Sequence, residues 1–191
     1  MSLDHPKMQN QELNDEFPVG LDLIISSVRR RLEILYAIRG ELDKESDRGC
    51  ALVAATYLES EVTALLNQFF VEMNKSARKE IFDFNGPLGT FSAKIKLAYA
   101  MGLISAEVRN ALNRIRGIRN KFAHLQDPLN FEDEIVAKQI DTLMPSCNVK
   151  TATRKDSFIL KVQAVSAVIH TRIANTYHTE EPKHEDVVVA E

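Results

Sequence analysis

Tryptophan is absent, and only two cysteines, seven glycines and six prolines are spread over 191 residues. The cysteines, Cys50 and Cys147, are too few and too far apart for a disulfide framework or a thiolate metal site, so neither a metal nor any other cofactor is expected. Scarce glycine and proline, beside abundant Leu, Ala, Ile, Val, Glu and Arg, disfavour a turn-rich β architecture, and no stretch alternates as a half-buried strand does. No charged-then-apolar leader with a cleavage signal opens the chain, and no apolar run reaches the roughly 18–20 residues that span a bilayer. The expectation is a reducing, cytoplasmic setting without a membrane partner.

What is present is a core-forming chain, 45% apolar, of a length that suits one domain with tails. Its net charge of −3 hides an uneven distribution. Between Lys75 and Lys121 ten Lys or Arg face three acids, Glu80, Asp83 and Glu107, so this middle carries +7 and the remainder −10. A basic centre attracts a phosphate backbone or an acidic protein, and it is equally what a solvated helix face looks like.

Apolar periodicity predicts an all-α, single-domain helical bundle of about six or seven helices over residues 19–177, between a flexible leader at 1–18 and an acidic flexible tail at 178–191. The first helix starts at Val19, with Leu21, Ile24, Ile25, Val28, Leu32 and Leu35 as its inward stripe, and ends in the polar residues 41–47. A second, over about 49–73, carries Ala51, Ala55, Leu58, Val62, Leu65, Phe69 and Met73 on one face. Glu59 intrudes on that apolar arc and calls for a cation. A short helix around 76–82 leads into Asn85-Gly86-Pro87-Leu88-Gly89-Thr90, a turn by its Asn-Gly and Gly-Pro pairs rather than a phosphate loop. The helix that follows closes at Gly102, read as a left-handed cap, and Ser105 caps the next one. Further on, Asn130 is expected to cap a helix over 131–143 that turns Ile135, Val136, Ile140 and Leu143 inward. A last helix follows over about 155–177, with His170 in a structural role.

The helix after Ser105 holds the candidate chemistry. Helix, short turn and basic helix resemble a helix-turn-helix in outline, in which Arg109, Asn110, Asn113, Arg116 and Asn120 would face a major groove. Arg109, Asn113, Arg114, Arg116, Lys121, Lys94 and Lys96 are the candidate contacts to nucleic acid or a partner protein. On a helical wheel Arg119 falls about 280° from Arg109, inside the apolar arc of Ile118, Ala111, Phe122, Ile115, Val108, Leu112 and Ala123. A buried guanidinium keeps its charge and needs a carboxylate, and Glu59 is the best candidate within the chain, giving a structural Glu59–Arg119 ion pair. The alternative puts Arg119, Asn120 and His124 in a cleft that cuts a phosphodiester. His124 is then the acid or base and Arg119 stabilises phosphate charge, which requires the helix to end near Ala123.

The string Arg119-Asn120 followed by His124 resembles the motif of the HEPN superfamily, which implies a helical, metal-independent endoribonuclease or nucleic-acid-binding domain using those three residues. A longer set of segments resembles a different family. Gly49-Cys50-Ala51-Leu52-Val53-Ala54-Ala55-Thr56-Tyr57-Leu58-Glu59, Gly86-Pro87-Leu88-Gly89-Thr90-Phe91-Ser92-Ala93-Lys94-Ile95, Gly102-Leu103-Ile104-Ser105 and Ile118-Arg119-Asn120-Lys121-Phe122-Ala123-His124 together resemble the bacterial mannitol operon repressors, over roughly residues 21–177. That resemblance implies an all-helical transcriptional regulator of mannitol use. Because the chain offers a charged, capped bundle but no clear groove-reading helix, it is expected to act through a protein partner, such as another transcription factor, and not as an enzyme. Direct DNA contact and a homodimer are left open.

Overall fold

The computed structural model describes residues 19–124, 129–147 and 149–181. They form seven helices: α1 (Val19–Lys44), α2 (Asp47–Phe69), α3 (Lys75–Phe82), α4 (Phe91–Ala100), α5 (Ala106–His124), α6 (Glu134–Asp141) and α7 (Arg154–Ala174). No strand occurs among the described residues, as the missing alternation predicts.

The bundle is built around α2, which packs against α5, α7, α4 and α1. Its length and apolar composition would suit a bilayer span, but Ala51, Ala55, Leu58, Val62 and Leu65 are instead sealed within the protein core. Small residues at Cys50, Ala51, Ala54 and Ala55, all buried, let neighbouring helices approach closely. At the far end of the core, Phe131 packs edge-on to Phe122 of α5, with centroids 5.5 Å apart, and lies 4.9 Å from Phe158 of α7.

Helix starts follow local side-chain chemistry. Ser46, Asn74, Thr90 and Thr153 each accept a hydrogen bond from the backbone N–H three residues on, satisfying a donor that has no intrahelical partner. Ser105 Oγ does the same for Val108 N, at 3.3 Å. Gly102 has φ +69°, the left-handed cap expected of it. Gly86 is required by space, since an added Cβ would lie 2.4 Å from the carbonyl oxygen of Glu80. Carbonyls at two helix ends are met by lysines from α7. Lys155 Nζ donates to Asp43 O in the last turn of α1 and to Glu45 O just past it, and Lys161 Nζ to Ile140 O in α6.

Two expectations about facing are corrected. In α1 the apolar stripe does not turn inward along its length: Leu42 is fully buried, but Ile25, Val28 and Leu32 are 45%, 46% and 49% exposed. The side chains of Leu21 and Ile24 lie outside the described residues. The cause is reach, because among the described residues α1 packs mainly against α7 and α2, and these do not cover that face of its earlier turns. In α6, Ile135 is exposed while Val136, Ile140 and Leu143 are buried. Asn130 does not cap this helix. Its side chain accepts from Glu132 N and Asp133 N, which folds residues 130–133 into a turn and delays the helix to Glu134, rotating the inward face to Val136, Ala137 and Ile140.

Residues 1–18 and 182–191, the leader and most of the tail in the sequence reading, lie outside the described residues. His178 and Thr179 lie against the end of α2, where Thr179 N donates to Phe69 O at 2.9 Å and His178 Nδ1 is 2.6 Å from Phe70 O.

Candidate functional site

One side of α5 is core and the other is basic. Val108, Ala111, Leu112, Ile115, Ile118 and Phe122 are buried, and Arg109, Asn113, Arg116 and Asn120 form a half-buried row at three- and four-residue steps. Arg114 and Lys121 run beside them on the flank that meets α6, where Gly117 lets Gln139 come close. Five cations against one acid, Glu107, make α5 a basic helix. Even that acid is engaged, for Glu107 Oε1 accepts from Ser146 N at 2.9 Å, and this backbone hydrogen bond holds its carboxyl below the usual range.

Two cations of this face, Arg109 and Arg114, are anchored within the protein. The Arg109 guanidinium stacks on the Tyr99 ring, 4.1 Å from its centroid, and also donates to Asn110 Oδ1. Asn113 Nδ2 donates back to Arg109 O, and Arg114 Nη1 donates to Thr142 O at 2.6 Å, at the end of α6. A groove-reading helix must offer its long side chains free to reach base edges. Here Arg109, Asn110, Asn113 and Arg114 are committed to their own fold. Arg116 differs, because its Nε is shielded from solvent and has no hydrogen-bond partner among the described residues.

The expected Glu59–Arg119 pair is replaced by another. Glu59 Oε1 lies 2.8 Å from Lys94 Nζ of α4, with the two side chains 25% and 10% exposed. Arg119 is half-buried and makes no ion pair among the described residues. The cause is the neighbour that α2 offers its acid: α4 presents Lys94 directly, whereas Arg119 sits at the edge of α5 rather than inside its core face. Lys94 is thereby withdrawn from the set of contact residues, while Lys96 remains exposed. The side chain of His124 lies outside the described residues, so its convergence with Arg119 and Asn120 is not part of this geometry.

A second polar cluster was missed from sequence. Between α2 and α7, Tyr57 OH is 2.7 Å from Ser166 Oγ and 3.4 Å from His170 Nε2, and His170 Nε2 is 2.6 Å from Glu61 Oε2. Burial raises the Glu61 carboxyl from 4.5 to about 7. A signal was available: Tyr57 and Glu61 on α2 and Ser166 and His170 on α7 are matched polar pairs at four-residue spacing. The structural role expected of His170 agrees with this setting between two core helices.

The model of the MtlR family, described as the mannitol repressor, matches residues 38–178. The chain belongs to the mannitol repressor family. All of α2 to α7, including the basic face of α5 and the Lys94–Glu59 pair, falls within the matched region. Two solved structures are similar to the chain. The chain in the MtlR–HPr complex from Escherichia coli is 20% identical with TM-score 0.58, the match covering 76% of this chain and 99% of that one. YggD from Shigella flexneri 2a, described as a possible transcriptional regulator, is 15% identical with TM-score 0.54, covering 74% and 97%. At these identities the likeness establishes a shared fold. None of the curated proteins compared with the chain matches it. The mannitol repressor family is one of regulators, and the HEPN resemblance finds no support in these comparisons.

Proposed function

We propose that this repressor controls mannitol-utilisation genes by engaging a protein partner through the basic face of α5, without reading operator bases itself, without chemistry of its own, and in the cytoplasm. The observation that carries the reading is the anchoring of that face. Arg109 on Tyr99 and Arg114 on Thr142 O are preorganised cations, and such a platform suits the carboxylates of a folded partner better than the edges of bases. The E. coli neighbour was solved in complex with HPr, and an HPr-type protein is the partner we assign here.

Arg116 and Lys121, half-buried and without an ion pair among the described residues, are the residues we assign to meet the partner's acids. Titration of HPr into the purified repressor, followed by calorimetry, tests this. Charge reversal by Arg116→Glu with Lys121→Glu is expected to weaken binding more than tenfold at unchanged helicity. Equal affinity in the doubly reversed protein would place the partner on another face.

A further inference from the structure

The half of α1 that precedes the family match carries a face without a partner in the monomer. Ile25, Val28, Leu32 and Tyr36 follow one another at steps of 3, 4 and 4, which places them on one side of the helix, and they are 45%, 46%, 49% and 73% exposed. They extend about 16 Å along the axis. Soluble chains rarely leave so continuous an apolar stripe uncovered. Beside it, a trough of about 430 Å³ between α1 and α7 is floored by Leu35, Leu160, Ala164 and Ala167, whose two alanines admit a close helix. Stripe and trough share Leu32 and Tyr36.

We propose that the stripe and trough are a homodimer interface, in which α1 of a second copy packs antiparallel on α1 about a two-fold axis at Leu32. Three features select a second copy. A stripe and a receiving trough that share their central residues are self-complementary, as a two-fold contact demands. Under this axis position 28 faces 36 and 32 faces itself, so Val28 covers the partner's Tyr36 and the two Leu32 side chains meet. Charge agrees as well. Arg29 and Glu33 lie on one flank of the stripe, and the antiparallel register brings Arg29 of each copy alongside Glu33 of the other.

The stripe lies before residue 38, where the family match begins, and the two solved neighbours are covered to 97–99% by 74–76% of this chain. The stripe therefore lies outside the family match, while the floor of the trough on α7 lies within it. Since α1 packs on α7 and α2, a second copy here leaves the α5 face of each protomer open.

Sedimentation of the full chain decides the matter. The wild type should run at twice the 21.6 kDa of one chain at micromolar concentration, and Val28→Asp with Leu32→Asp should run as a monomer with the same helicity, since both positions are half exposed. A wild type that stays monomeric overturns the proposal and assigns the stripe to residues 1–18 or to another protein. An aspartate variant that stays dimeric overturns it too, by moving the interface elsewhere. Register is read by oxidation in a Cys147→Ser background, where Leu32→Cys should cross-link and Ile25→Cys should not. Efficient cross-linking at position 25 instead would refute the antiparallel arrangement.

Discussion

Replacing Lys94 by methionine keeps the stem of the side chain and removes its charge, leaving Glu59 beside α4 without its cation. Breaking a fully buried pair by removing one partner costs about 3–5 kcal/mol, and breaking an exposed one costs about 0–1. With Lys94 10% and Glu59 25% exposed, the pair lies nearer the buried limit, but Glu59 keeps some water. About 2–3 kcal/mol follows for Lys94→Met, or roughly 4–12 °C in Tm for a domain of this size. Adding Glu59→Leu removes the stranded carboxylate and should recover most of the loss, so the double-mutant cycle carries a coupling of about 2 kcal/mol. Arg119→Ala, lacking an ion pair, should cost under about 1 kcal/mol. Urea unfolding at pH 7 with an unchanged m-value is the assay. A larger loss for Arg119→Ala than for Lys94→Met, or strictly additive effects at 94 and 59, would refute the assignment.

Two further perturbations test the fold. Glu61, raised by burial from 4.5 to about 7, holds a proton in the folded state that the unfolded chain has already released between those values. Its contribution is fully present below 4.5 and is lost as pH rises through about 7, and Glu61→Gln should flatten the stability profile across that window. Denaturant midpoints at a series of pH values give the slope, and an unchanged slope in the variant would remove Glu61 as its source. Gly102→Ala meets no neighbour within 4 Å but must hold φ +69°, so a loss of about 1–2 kcal/mol from backbone strain alone is expected in urea unfolding. A neutral result would mean that α4 ends differently in solution.

Local signals in the sequence carried most of the fold. The α2 stripe, the Gly102 cap, the Ser105 start and the turn at Gly86 depend on residues within a few positions of one another, and each is found as read except that α2 ends at Phe69 and leaves Met73 off its stripe. What was not legible depended on neighbours distant in sequence. Glu59 announced its need for a cation, but whether α4 or α5 supplies it is decided by packing, and Lys94 looked like one more surface lysine. The stripe of α1 is equally visible as a face, yet periodicity reports a face and not its occupant. Asn130 was read as a cap, whereas its side chain closes a turn one step earlier and so exposes Ile135. On α5, the count of cations was plain from the start, but the anchoring of Arg109 on Tyr99 and of Arg114 on Thr142 O depends on how α4 and the end of α6 pack against it.

The central claim is that this repressor acts through a protein partner and does not read its operator alone. Titration of the purified protein against mannitol-operon DNA and a scrambled duplex, at salt from about 50 to 200 mM, tests it most directly. The account predicts weak binding that is indifferent to sequence and collapses as salt rises. Operator binding in the range of about 10⁻⁸ M or tighter at physiological salt, at least a thousandfold above the scrambled duplex, would contradict it.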